Sequence, residues 1–246
     1  MHSLKPGERL DDLMIKGLKL IQHEDEFRFS LDAVLLANFA TLKKEARAVD
    51  LGTGTGVIAL LLAARGAQET VGVEISPLLA EMAARSIALN GLAAKARIIE
   101  GDLLQVKDFL PAGQWDTVVS NPPYRPLGEG FLSPKAQIAR ARHEASATLR
   151  DVVGAARFLV KYRGRFAMVH LPERLAEIMA VMRDAQLEPK RLQLIYPKIG
   201  RKPNLVLIEG VRGAKSGLDV LPPLVVYNSD GSYTEDILSF YHKEGK

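Results

Sequence analysis

Short apolar, β-branched runs recur along the chain at 48–51, 70–74, 96–100, 116–120, 165–170, 192–196 and 204–210, each the length of one strand. Between most of them the apolar residues fall at helical spacing, at 57–65, 77–90, 149–162 and 172–185. Pro77 suits a first helical turn, and Asn90-Gly91 suits a helix end. Strand, crossover helix and strand in alternation predict an α/β fold: a doubly wound, mostly parallel sheet with helices on both faces. The stretch PKIGRKP at 197–203 is too short for a crossover helix, so the last two strands should be antiparallel neighbours. Ahead of the first strand, FRFSLDAVLLANFA at 27–40 reads as a helix capped by Ser30 or Asp32. The expected organisation is a single domain, 1–246, with a helical extension at 1–45 and a core at 46–246. Residues 125–143 have no periodicity, and a loop of that length beside a site is usually functional.

Composition narrows the chemistry. A chain of 246 residues, 47% hydrophobic, can bury one sizeable core. The absence of cysteine excludes disulfides, thiolate nucleophiles and cysteine-ligated zinc, and fits a reducing compartment. His2, His23, His143, His170 and His242 lack ligand spacing, so no metal is expected. The longest apolar runs, such as 57–64, fall short of the ~20 residues of a membrane helix. Glu8, Asp11 and Asp12 leave no signal-peptide core near the start, and the expectation is a soluble cytoplasmic protein without a membrane partner. Net charge is only +4, but residues 125–215 hold 18 basic against 8 acidic residues. That excess suits a polyanion, or else a solvated face.

Two stretches carry candidate chemistry. DLGTGTG at 50–56 follows the first strand and opens a helix, the context of a nucleotide-binding glycine loop. A dinucleotide fingerprint would place glycine where this chain has Val57, which counts against a nicotinamide dehydrogenase. Glu74, 18 residues after Gly56, ends the second strand where a carboxylate takes ribose hydroxyls, and Asp102 after the third is placed to accept from an adenine amine. NPPY at 121–124 closes the fourth. Its prolines donate nothing, Asn121 is pushed extended by Pro122, and the Asn121 side-chain oxygen with the Pro122 carbonyl could receive both hydrogens of a planar NH₂ group. Pro123 and Tyr124 add apolar surface, the phenol ring a flat one. Prolines that merely stop a strand are the plain alternative.

DLGTGTG, Glu74, Asp102 and NPPY, in this order and spacing, resemble class I S-adenosylmethionine-dependent methyltransferases that act on exocyclic amino nitrogens. The resemblance implies a Rossmann-like, seven-stranded methyltransferase fold with an antiparallel last strand. It implies S-adenosyl-L-methionine as cofactor: Asp50, Gly52, Thr53 and Gly54 around its methionine end, Glu74 and Ile75 at its ribose, Asp102 and Leu103 at its adenine, and Asn121 nearby. A narrower likeness spans nearly the whole chain. LDDLMIKGLKLIQ, FRFSLDAVLLANFA, ARHE at 141–144 and the ending LPPLVVYNSDGSYTEDI resemble bacterial tRNA adenine-N6 methyltransferases. These modify tRNA1(Val) at adenine 37 beside the anticodon, and through them Phe29, Ser30 and Asp32 become expected cofactor contacts.

On that reading Asn121, Pro122 and Tyr124 are the catalytic residues. Acceptors on both N–H groups stabilise the positive charge that develops as the amine attacks, the counterpart for a cation of an oxyanion hole. Arg140, Arg142, Lys198, Arg201 and Lys202, with Pro123 and Tyr124, are the candidate tRNA contacts. His143 and Glu144 stay open between substrate contact and helix start. NPPY also resembles the motif of protein glutamine-N5 and ribosomal RNA guanine-N2 methyltransferases, because those substrates present similar planar amines. A non-catalytic RNA-binding module of the same fold is the remaining alternative.

Overall fold

A computed structural model describes residues 4–26, 30–124 and 147–241. Strands β3 (Arg47–Leu51), β4 (Glu69–Glu74), β5 (Ala96–Glu100), β6 (Trp115–Ser120), β7 (Val160–His170), β8 (Leu187–Tyr196) and β9 (Leu205–Arg212) build one sheet in the order β5-β4-β3-β6-β7-β9-β8. All neighbours are parallel except at β9, which runs antiparallel to both β7 and β8. Two short strands, β10 (Asp219–Val220) and β11 (Leu224–Val225), extend the sheet along β8, giving nine strands among the described residues. The expected mostly parallel sheet with an antiparallel last strand is therefore present.

Helices α1 (Leu31–Phe39), α2 (Val57–Ala64), α3 (Pro77–Leu89), α4 (Leu149–Leu159), α5 (Leu175–Asp184) and α6 (Glu235–Tyr241) accompany it. α1 and α2 are apolar on nearly every side because they lie inside one core cluster with Val119, Ala167 and Leu207 of the sheet. α4 is amphipathic; it lays Val152, Val153 and Leu159 on the opposite layer, with Val49, Val118 and Phe166. Its start is fixed by a capping box, Thr148 and Asp151 each satisfying the other's backbone N–H.

Three expectations are corrected. The extension at 1–45 is not simply helical: β1 (Glu8–Asp12) and β2 (Lys19–His23) form an antiparallel hairpin ahead of α1. Met14, Lys16 and Gly17 take left-handed backbone between them, and Met and Lys are weak turn signals. The helix expected to 162 stops at Leu159, and its last residues open β7, where Val160 is already extended. β8 starts at Leu187, well before the expected 192, because Pro189 is accommodated at a register shift between Pro189 and Arg191.

Candidate active site

The order of strands reverses between β3 and β6, so the loops after these strands diverge and leave a crevice at the carboxyl edge of the sheet. Leu51 pairs with Ser120 at that point, and the Ser120 hydroxyl donates to the Leu51 carbonyl at 2.9 Å. The glycine loop and the Asn121 tip thus leave the sheet side by side. A cleft of about 180 Å³ opens there. Gly52, Glu74, Ile75, Asp102 and Leu103 line it from one side, and Asn121, Pro122 and Pro123 from the other.

The loop itself is built on backbone conformation. Gly52 and Gly54 have φ of +70° and +56°, and a Cβ at either would meet nothing within 4 Å. Glycine is needed there for the turn, while the space beyond stays open for a ligand. Gly56 differs: a Cβ would lie 2.8 Å from that of Ala83, so this glycine lets α2 and α3 close together. Gly52 and Thr53 donate their N–H groups to the Val73 carbonyl, tying the loop to β4.

Glu74 is nearly buried and accepts from the Gly54 N–H at 2.7 Å and the Ser76 N–H at 3.0 Å, one on each carboxylate oxygen. Each oxygen keeps acceptor capacity for a hydroxyl. Asp102 accepts from the Leu104 N–H through Oδ1 at 2.9 Å and starts a 3-10 turn, Leu103–Asp108, leaving Oδ2 for an amine.

Asp50 lies beneath the loop. The Thr53 hydroxyl donates to its Oδ2 at 2.5 Å, whereas the buried Oδ1 has no hydrogen-bond partner. Burial, opposed by the Thr53 bond and the Ala59 backbone N–H and reinforced by the Glu74 charge, pushes its pKa up to about 7.

Asn121 is half-buried, and among the described residues its side chain makes no hydrogen bond. Tyr124 is held on two sides. Its hydroxyl donates to Asp32 Oδ2 at 2.6 Å, and its ring leans against His170 at 5.4 Å and 51°. Burial and the Asp32 carboxylate raise the phenol's pKa, so it stays protonated as the donor. Asp32, expected beside a cofactor, is thus bonded to Tyr124 through one carboxylate oxygen. Ser30 sits at the cap position of α1, but its side chain makes no cap bond. Phe29, Arg140, Arg142, His143 and Glu144 lie outside the described residues.

His170 was not among the expected site residues. It ends β7, on the same edge as Asn121, and its strand-end position was the available signal. The Leu171 N–H points at Nδ1 at 2.7 Å, while Arg174 approaches Nε2 at 3.3 Å. Burial first, then the Arg174 charge, lower its pKa to about 4, so the imidazole is neutral at physiological pH.

Lys198, Arg201 and Lys202 sit together on the turn between β8 and β9. His170 pairs with Val206 and Ile195 with Leu205, so that turn also leaves the carboxyl edge. It lies two to three strands from β6, about 10–14 Å at the usual strand spacing. These cations and the cleft share an edge without touching. Among the described residues no group of acidic and histidine side chains could hold a metal ion, and no helix is long and apolar enough to cross a membrane.

A buried carboxylate under a glycine loop, acids after the next two strands and NPPY after the fourth form one cleft at the switch point. The chain belongs to the methyltransferase small domain family, whose profile matches residues 31–170. Among its relatives is the tRNA1(Val) (adenine(37)-N6)-methyltransferase of Aeromonas salmonicida, 29% identical over 86% of this chain and 87% of that protein. The enzyme of the same name from Porphyromonas gingivalis is 30% identical over 76% of this chain and 75% of its own length. An Agrobacterium tumefaciens crystal structure described as a predicted O-methyltransferase shares the fold, with a TM-score of 0.69 and 23% identity over 85% of this chain and 95% of that one.

Proposed function

We propose that this protein transfers the methyl group of S-adenosylmethionine to N6 of an adenine in tRNA, adenine 37 of tRNA1(Val). One observation carries the reading: the pairing of Leu51 with Ser120 sets the Asn121 tip directly beside the glycine loop. The residues fit the cofactor, since Gly52 and Gly54 face open space, Asp50 keeps a buried oxygen without a partner, and Glu74 and Asp102 retain acceptor capacity. When bound, the cofactor supplies an electrophilic sulfonium methyl.

The chain's own residues do the rest. Glu74 takes the ribose hydroxyls, and Asp102 accepts from the cofactor's adenine amine. The Asn121 side-chain oxygen and the Pro122 carbonyl take the two N–H groups of the target amine and stabilise its developing charge. Two adjoining pockets on one edge align nitrogen and carbon. A base inside a nucleic acid must leave its stack to reach the tip, and the Tyr124 ring, fixed by Asp32 and His170, offers it a face. The alkylated amine is strongly acidic, so its proton leaves to water without a dedicated base. Lys198, Arg201 and Lys202, together with Arg140 and Arg142, hold the phosphates, which makes binding fall with rising salt.

Incubation with cofactor and bulk RNA lacking the modification, followed by nucleoside mass spectrometry, tests this. N6-methyladenosine in the tRNA fraction is the expected product. N2-methylguanosine in ribosomal RNA, or methyl transfer only to protein, would replace the reading.

A further inference from the structure

The segment YNSDGSY at 227–233, between β11 and α6, has no part in the cleft, yet it builds a distinct surface. Val226 and Tyr227 donate their N–H groups to the Tyr196 and Pro197 carbonyls, so the tail follows β8 to the carboxyl edge. It then reverses in a tight turn. Gly231 is left-handed, and Asp230 Oδ1 accepts from the Ser232 N–H at 2.9 Å and its hydroxyl at 2.7 Å. The turn stacks Tyr227 on Tyr233, with ring centroids 5.2 Å apart and planes 14° from parallel, and Tyr233 on Tyr241 at 6.2 Å and 20°. Tyr233 and Tyr241 rest against the core, whereas Tyr227, at the outer end, is 36% exposed.

The β8–β9 turn joins this stack. Lys198 Nζ donates to the Ser229 carbonyl at 3.3 Å, binding the two turns together. Beside it Ile199 is 87% exposed, and Arg201 and Lys202 are exposed as well. Asp230, next to Lys198, is the nearby carboxylate. A supported aromatic ring, a bare aliphatic side chain and three cations on one rim are the parts of a single-strand binding platform: ring faces for bases, cations for phosphates.

We infer that the paired turns are a docking surface for an unpaired stretch of RNA, one base of which stacks on Tyr227 and contacts Ile199. The inference rests on the RNA substrate of the proposed function and deepens it by assigning a second contact. The platform lies one strand beyond β8, about 19 Å from the Asn121 tip at the usual strand spacing. It would grip nucleotides flanking the one extruded into the cleft.

The test measures binding, in the absence of turnover, of a fluorescein-labelled RNA stem-loop and a blunt RNA duplex of equal length. Tyr227→Ala should weaken stem-loop binding about tenfold and leave the duplex unchanged, while Tyr227→Phe keeps the ring and stays within about twofold of wild type. Ile199→Ser, at a site too exposed to affect folding, should weaken the stem-loop about fivefold. Cofactor affinity should not move in any variant. Unchanged stem-loop binding in both Tyr227→Ala and Ile199→Ser overturns the inference, as does an equal loss for stem-loop and duplex. If Tyr227→Ala does not fold, Ile199→Ser decides alone. A wild type that binds the stem-loop through Tyr227 but methylates no tRNA would sink the proposed function and leave the platform standing.

Discussion

Among the described residues, the carboxylates of Asp50 and Glu209 are both fully buried, and they are treated in opposite ways. Glu209, in the middle of β9, accepts from the Thr41 N–H at 2.7 Å, the Thr41 hydroxyl at 2.9 Å and the Arg165 guanidinium at 2.7 Å, with Arg191 at 3.3 Å. Asp50, under the glycine loop, has the Thr53 hydroxyl on one oxygen and no hydrogen bond on the other. A buried charge is tolerated when it is paired and costly when it is not. Glu209 therefore belongs to the scaffold, tying β7, β8 and the segment after α1 together. Asp50 is a site held short of its partners, which a cationic ligand would complete.

The comparison can be broken at several points. Glu209→Ala strands two guanidinium groups and should lower unfolding free energy by roughly 3–5 kcal/mol in denaturant titrations, with a neutral result removing its scaffold role. Asn121→Ala should cut methyl transfer by about 10²–10³-fold, roughly 3–4 kcal/mol, at unaltered cofactor affinity. Near-normal turnover in that variant would defeat the assignment of the strand tip.

Asp50→Asn should behave unlike Glu209→Ala. With its pKa raised from 3.8 to about 7, folded Asp50 holds a proton that the unfolded chain has lost between these pH values. Wild-type stability without cofactor should thus fall as pH rises through that window. Asp50→Asn should remove this slope and gain on the order of 2 kcal/mol at pH 8, while losing cofactor affinity. Thermal melts across pH, with and without S-adenosylmethionine, read both effects; a pH slope that survives in the variant assigns it elsewhere. Smallest is Tyr124→Phe, which deletes the bond to Asp32. A loss of about 1 kcal/mol, seen as a several-fold rise in KM for RNA with cofactor affinity constant, is expected.

Those residues differ in how visible they are before the fold is known. Asp50, Glu74, Asp102 and Asn121 could be read because each lies at or just past the carboxyl end of a strand, and the ends of parallel strands fall on one edge whatever the packing details. The β/α alternation gave the sheet for the same reason. Asp32 and Tyr124 are 92 residues apart and meet only because α1 packs against the sheet, so no spacing announces their bond. His170 and Glu209 carry no motif either; strand register makes them what they are. The early start of β8 was not legible because Pro189, which reads against a strand, falls where the pairing slips.

The close approach at Gly56 has a mechanical side. With no room for a side chain between α2 and Ala83 of α3, and Gly72 likewise pressed to 2.8 Å from the Thr53 side chain were a Cβ added, the floor of the cleft is clamped from two directions. Densely packed interiors yield little. Accommodating a bulkier acceptor must then fall to the rim, where Ile75 and Pro123 stand exposed, and engineering of substrate range should begin there.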